Sequence, residues 1–456
     1  MSVPSEVKDF LQKEGVILLI RGLPGTGKTI FSLSLMMGLR NAAYITTEKV
    51  AKDIERNYPW VDEDAKKRIF ILDGKYDFSP STRFENFLYL FPNSIRHVLN
   101  LVEKGEINTI ILDSWHTILQ EMRFKEIEER ERREVYNPDR FFLNLLKLSD
   151  MGVNIIICKE GIEEDDLSYV ADGVVTLHKK VENGRIFRGI TIDKLRGIEI
   201  KRAEYVFSLK DGKAHTLLSQ HFKHPHNLRE FPVKEIKIGR GVPSCVFDSI
   251  LRFKRGDTIF YDFEEYVSKE YHLTVIMSTL ANFLKNNLKS IILPPNDMDA
   301  NELKYQIYLF SLEKELKNLR VLYNEEEMEE YIEQVNMKDE KLLEEVVKRG
   351  LEGASMPLFI LGYDRLHSYL SSHEIMQFID FLRNEIRKRS GILIISGKIS
   401  EREIKRFCAG LSDVYIKINN VNGDSIMYGI KPWTHAYHLN LTTDEGYPKI
   451  VLEEIT

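Results

Sequence analysis

The chain has 456 residues, 43% of them hydrophobic and 29% charged, enough to bury two or three cores of ordinary size. Its 64 Lys and Arg against 70 Asp and Glu leave a net charge of −6, which argues against a nucleic-acid or anionic-membrane surface running the length of the chain. Three scattered cysteines without metal-ligand spacing, an opening without a signal-peptide layout and the lack of a membrane-length apolar run predict a cytosolic protein with reduced thiols.

The first informative stretch is GVILLIRGLPGTGKT. Val16 to Ile20 form a short unbroken apolar run, the pattern of a strand covered on both faces. Gly22, Pro24, Gly25 and Gly27 then break regular structure, and apolar residues return at helical spacing from Thr29. Strand, glycine loop and helix in this order are the context of a Walker A motif. Gly22, Leu23, Pro24, Gly25, Thr26 and Gly27 would turn backbone N–H groups toward a phosphate, helped by the dipole of the helix that follows. Lys28 would reach the β- and γ-phosphates of ATP, and the Thr29 hydroxyl would bind Mg²⁺.

Next comes AAYITTEKV, a predicted strand from Tyr44 to Thr46 that completes a right-handed βαβ unit. Glu48 lies just beyond its carboxyl end. On spacing alone it either orients the water that attacks the γ-phosphate or is a solvated strand-end carboxylate. In INTIILDSWHTIL, a buried strand from Thr109 to Leu112 ends in Asp113, the Walker B position, where a carboxylate holds the Mg²⁺ water shell.

At this point the chain resembles the KaiC-like ATPases of the RecA superfamily. The segment EKVAKDIERNYPWVDEDAKKRIFILDG resembles the helix, loop and strand that follow the catalytic Glu in that family, and MGVNIIICKEG fits its next core strand. An Ala-Asp-Gly, a strand, a glycine hairpin, a second strand and Lys-x-Arg-Gly then follow between Leu167 and Ile200. The resemblance implies that Glu48 is catalytic and that Lys194 and Arg196 point at the nucleotide of a neighbouring subunit. The family often has Glu-Glu where this chain has Glu48 and Lys49. The opening VPSEVKDFLQKEGVILLIRGLPGTGKT also resembles archaeal proteins related to the gas-vesicle regulator GvpD, a P-loop family that carries Arg-rich segments. A comparable stretch here, Glu121 to Arg140, has a summed charge near zero and reads as a solvated helix or flap.

The second half resembles a further KaiC-like domain with its phosphate loop eroded. The spacing of Gly15 to Gly22 recurs from Gly256 to Phe263, which sets Lys269 under Lys28. Phe263, Ser268 and Glu270 then replace Gly22, Gly27 and Thr29, so the backbone can no longer turn around a phosphate. MPLFILGYDRLHSYL mirrors the Walker B strand, with Gly362 or Asp364 near the Asp position. SGILIISGKIS mirrors the strand from Asn154 to Cys158. Asp413 repeats Asp172, Lys431 falls under Lys194, and Trp433 stands where Arg196 would be.

The predicted architecture is therefore α/β: two tandem RecA/KaiC-like P-loop domains, each with a central mostly parallel sheet, the second degenerate. The expected boundaries are 1–210, a linker at 211–238 and 239–456. The linker's histidines lack carboxylate or Cys partners in sequence and read as a polar connector. Asn324 to Gly350 reads as an acidic pair of amphipathic helices.

Three functions fit. One is a nucleotide switch that binds Mg²⁺ and ATP, hydrolyses it slowly to ADP and phosphate, and relays its state through the second domain to a regulatory partner. It would form a homo-oligomeric ring, a hexamer among the sizes open, and no membrane is involved. A DNA-acting motor or recombinase accessory is the alternative. The net acidity and the lack of an aromatic-plus-basic strand-binding loop speak against it. A KaiC-type autokinase needs a presented Ser or Thr that nothing in the sequence nominates. The switch is the reading favoured.

Overall fold

The computed structural model describes residues 3–39, 41–46, 56–71, 93–116, 145–219, 222–237, 241–324, 329–398 and 401–456. Glu48 and the charged stretch 121–140 lie outside them. The chain divides into two compact units, Met1–Leu217 with Ile455–Thr456, and Leu218–Glu454.

The strands of the first unit are β1 (Ile17–Gly22), β2 (Ala42–Thr46), β3 (Ile69–Ile71), β4 (Thr109–Asp113), β5 (Asn154–Glu160), β6 (Gly173–Glu182), β7 (Arg185–Leu195), β8 (Glu204–Ser208) and β9 (His215–Leu217). They form one sheet in the order β3-β2-β4-β5-β1-β6-β7-β8-β9. Neighbours from β3 to β6 pair in parallel, and β6 to β9 pair antiparallel. The unbroken apolar runs have a simple cause. Leu18 and Ile20 face a core with Phe31 and Leu35 of the helix Lys28–Gly38, while Ile17 and Leu19 face a second core with Leu145 and Leu148. Alternate side chains point to opposite faces of a sheet, so a strand covered twice must be apolar at every position.

The second unit contributes β10 (Thr258–Phe263), β11 (Ser290–Leu293), β12 (Leu319–Tyr323), β13 (Ile332–Gln334), β14 (Leu358–Gly362), β15 (Ile392–Gly397), β16 (Val414–Val421), β17 (Asp424–Lys431), β18 (Ala436–Thr442) and β19 (Lys449–Ile455). Their order is β13-β12-β11-β14-β15-β10-β16-β17-β18-β19. The run β11-β14-β15-β10-β16-β17-β18 repeats β2-β4-β5-β1-β6-β7-β8 of the first sheet. Details repeat too. Asp172 exchanges two hydrogen bonds with the backbone of Ile17, at 2.9 and 3.1 Å, and Asp413 does the same with Thr258 at 2.8 and 2.9 Å. Gly15 and Gly256 both take positive φ, 67° and 83°. Lys194 donates to the carbonyls of Ser168 and Tyr169, and Lys431 donates to that of Ser412. Two tandem RecA-like domains account for all of this.

Two expectations need revision. The described residues of 324–350 hold not a pair of helices but the edge strand β13, parallel to β12, and then one helix, Glu340–Gly350. Asp339 starts that helix by accepting from the Leu342 amide, and Leu343, Val346 and Val347 are buried, so one face serves the core. Nor is 211–238 an independent connector along its whole length. His215–Leu217 closes the first sheet, and Phe231 packs into the core of the second unit against Phe310 and Tyr447. Cys158 and Cys408 are buried, Cys245 is half-buried, and all three are unpaired. Among the described residues no helix is long and apolar enough to cross a membrane.

Candidate nucleotide site

In parallel α/β sheets ligands gather at the carboxyl edge of the strands. Here β1, β4 and β5 end together, with Gly22 opposite Glu160 and Asp113 opposite Cys158. β1 continues to Gly22, past the apolar run, and the next helix begins at Lys28. Gly25 and Gly27 take φ of 75° and 106°, which a side chain would resist. A Cβ on Gly22 would stand 2.6 Å from the Leu177 carbonyl oxygen and 2.8 Å from Thr26 Oγ1. The Thr26 hydroxyl donates to the Leu23 carbonyl at 2.9 Å and closes the turn, with Leu23 exposed beside Pro24. The result is a tight backbone loop that depends on these glycines, leading directly into a helix amino-terminus.

Lys28 is buried at the base of the cradle. Its Nζ donates to the carbonyls of Gly22 and Leu23 at 2.9 and 3.1 Å and lies 2.9 Å from Glu160 Oε1. Thr29 Oγ1 donates to Asp113 Oδ2 at 2.7 Å, and the Tyr44 hydroxyl donates to the same oxygen at 2.5 Å. Asp113 is buried, and that burial lifts its carboxyl above the ordinary carboxylate range. Hydrogen bonds from Tyr44 and Thr29 and the charge of Lys28 work the other way without cancelling the rise. A hydroxyl beside a desolvated carboxylate is the oxygen donor set that Mg²⁺ takes, and a divalent cation there would stabilise the ionised acid.

Three of the sequence-predicted residues, Lys28, Thr29 and Asp113, thus meet at the glycine loop. Glu48 lies outside the described residues. Lys194 and Arg196 sit elsewhere on the unit. Lys194 binds the carbonyls of Ser168 and Tyr169, and Arg196 pairs with Asp172 at 3.0 Å while remaining largely exposed. Three residues were missed by sequence reasoning. Tyr44 and Glu160 touch the predicted triad, and Arg188 reaches the Gly25 carbonyl at 3.4 Å. Glu160 had a usable signal: NIIICKE is an apolar run ending in an acid, as is TIILD.

Tyr44→Phe tests the tyrosine's part. It removes a donor that favours the ionised Asp113, so the carboxyl rises further. Mg²⁺-dependent nucleotide binding should weaken about tenfold, and its acid limb should move to higher pH. Titrating fluorescent nucleotide with Mg²⁺ across pH reads both. An unchanged acid limb would show that Tyr44 does not tune Asp113.

The matching edge of the second unit lacks the glycine loop and the carboxylate. By register Gly362 takes the place of Asp113, opposite Ser396 as Asp113 is opposite Cys158. A Cβ there would stand 2.5 Å from the Pro294 carbonyl carbon and closer still to Pro295. Lys269 turns to Glu302 at 2.9 Å. Phe263 is buried against His272, whose ring spans Asp297 Oδ2 at 3.0 Å and Ser396 Oγ at 2.6 Å. Lys398 adds an ion pair to Asp297 at 2.8 Å.

A glycine cradle, its lysine and a hydroxyl–carboxylate pair on a sheet of this order define a P-loop domain of the RecA superfamily, followed by a degenerate second copy. Residues 7–193 match the family described as GvpD gas vesicle protein, P-loop domain. The chain is similar to Protein GvpD2 of Halobacterium salinarum, 27% identical over 310 residues, covering 64% of this chain and 61% of that protein. Protein GvpD1 of the same organism is 24% identical over 329 residues, 64% of this chain and 56% of the relative. The circadian clock oscillator protein KaiC of Synechococcus elongatus is 27% identical over 215 residues, 42% of this chain and 38% of the relative. These alignments span about three-fifths or less of each relative's length. The amino-terminal unit thus matches a GvpD-type P-loop domain, and the chain is similar to proteins described as GvpD and KaiC.

Proposed function

We propose that this protein is a nucleotide switch. Its amino-terminal domain binds Mg²⁺–ATP in the cytoplasm and hydrolyses it slowly to ADP and phosphate. The degenerate second domain relays the nucleotide state to a regulatory partner. The observation that carries this reading is the meeting of Lys28, Thr29 and Asp113 at a glycine cradle, with Thr29 Oγ1 2.7 Å from Asp113. In the proposed mechanism Gly22 to Gly27 wrap the phosphates, Lys28 neutralises them, and Thr29 and Asp113 hold the metal. When bound, Mg²⁺ supplies charge against the β- and γ-oxygens. Glu48 positions the attacking water.

Lys194 and Arg196 complete the site of a neighbour in a ring. The exposure of Arg196 supports this, since a cation offered to another subunit must stand free of its own cradle. The GvpD and KaiC likenesses support an oligomer or a regulatory partner as the reader of the state.

Turnover of wild type, Glu48→Gln and Arg196→Ala, each measured across protein concentration, tests the proposal. Glu48→Gln should lower turnover about 100-fold. Arg196→Ala should abolish the rise of specific activity with concentration. Activity that is independent of concentration and indifferent to Arg196 would remove the contact in trans. DNA-stimulated turnover would favour a motor instead.

A further inference from the structure

Lys28 is already neutralised. An ammonium has three protons, and here three acceptors surround it: two loop carbonyls and the carboxylate of Glu160 at 2.9 Å. The lysine side chain is 5% exposed, so water takes little part in balancing its charge. Glu160 comes from the end of β5, fixed beside Gly22 by strand register and by the reciprocal hydrogen bonds between Gly22 and Gly161 at 3.0 and 3.2 Å. Its second oxygen, Oε2, is buried without a hydrogen-bond partner among the described residues. A carboxylate oxygen left so is costly unless a ligand or cation completes it.

We propose that Glu160 is the resident counter-ion of Lys28, that an incoming phosphate must displace it, and that this makes the site specific for metal-bound nucleotide. The inference rests on the proposed nucleotide binding and deepens it. A free di- or triphosphate entering the cradle meets a lysine with no charge to spare and two nearby acids, Glu160 and Asp113. Burial of Asp113 is already made more costly by the Glu160 charge. Arg188 meets the loop at the Gly25 carbonyl, at 3.4 Å. A nucleotide carrying Mg²⁺ brings the missing charge. Asp113 and Thr29 would hold the metal, Lys28 would be released to the phosphates, and Glu160 would turn away from the lysine with its charge balanced by the cation.

The test is calorimetric titration of the full chain with ADP, which is not turned over, in Mg²⁺ and in chelator. Wild type should bind Mg²⁺–ADP and bind ADP in chelator at least thirty-fold more weakly. Glu160→Gln keeps the shape and removes the charge. It should tighten ADP binding in chelator about tenfold and change Mg²⁺–ADP binding far less, so that the metal dependence collapses. Glu163→Gln, an equal change of charge at an exposed neighbour, should behave as wild type. Adding Lys28→Met to Glu160→Gln should erase the gain, because the gain acts through the lysine. Circular dichroism confirms that each variant is folded. A folded Glu160→Gln with wild-type metal dependence, or a gain matched by Glu163→Gln, overturns the inference while nucleotide binding stands. Binding by neither wild type nor Glu160→Gln, with or without metal, overturns nucleotide binding itself.

Discussion

Lys28→Ala should weaken nucleotide binding roughly thirty-fold or more while leaving the fold intact. Truncating one partner of a buried, hydrogen-bonded charge pair costs about 2–5 kcal/mol, so affinity should fall roughly thirty-fold or more. Two effects add in the same direction. The loop loses the buried cation at its base, and Glu160 is left facing the phosphates without its counter-ion. The helix Lys28–Gly38 should survive, since Phe31, Leu33, Leu35 and Met36 hold its buried face and alanine favours helix. Equilibrium binding of a fluorescent ATP analogue, with a thermal melt on the same sample, separates the outcomes. Retained affinity in a folded Lys28→Ala would mean that the phosphates do not sit where the loop implies.

The second large effect concerns the other unit. Gly362→Asp restores on paper the carboxylate that β14 lacks, and it should destabilise the second unit rather than create a site. The new Cβ would press on the backbone of Pro294 and Pro295, which cannot rotate aside as a flexible side chain can. Overpacking of this kind costs about 1–3 kcal/mol, and a buried carboxylate without a prepared partner adds several more. Gly362→Ala isolates the steric part, so the gap between the two variants measures the charge. Chemical denaturation of both reads the difference. A Gly362→Asp variant as stable as wild type would show that the Pro294–Pro295 backbone does not bar a side chain at this position.

Much of the first unit was legible because its local and tertiary demands coincide. Strands covered on both faces must be continuous apolar runs, and a phosphate loop needs glycines where φ is positive, so β1, β4, β5 and residues 22–29 announce themselves. The duplication was also legible, because Asp172 and Asp413 do the same backbone work at the start of each domain's central strand. What stayed hidden depends on which strands become neighbours. Glu160 matters only because β5 lies against β1, and Tyr44 only because β2 lies against β4. Neither adjacency is local in sequence. Whether Gly362 or Asp364 occupied the Walker B position turned on a register that only strand pairing fixes. The stretch 324–350 misled for a different reason. Acidic residues with periodic Leu and Val suit a surface helix, and that pattern masked the short edge strand that tertiary pairing with β12 stabilises.

The central claim is that one unit grips a nucleotide and its sibling does not. Calorimetric titration of the full chain with Mg²⁺–ADP measures this most directly, because it counts sites. The account predicts one equivalent per chain, weakened by Lys28→Ala and kept with Lys269→Ala. Two equivalents, none, or one that is indifferent to Lys28→Ala and vanishes with Lys269→Ala would contradict it.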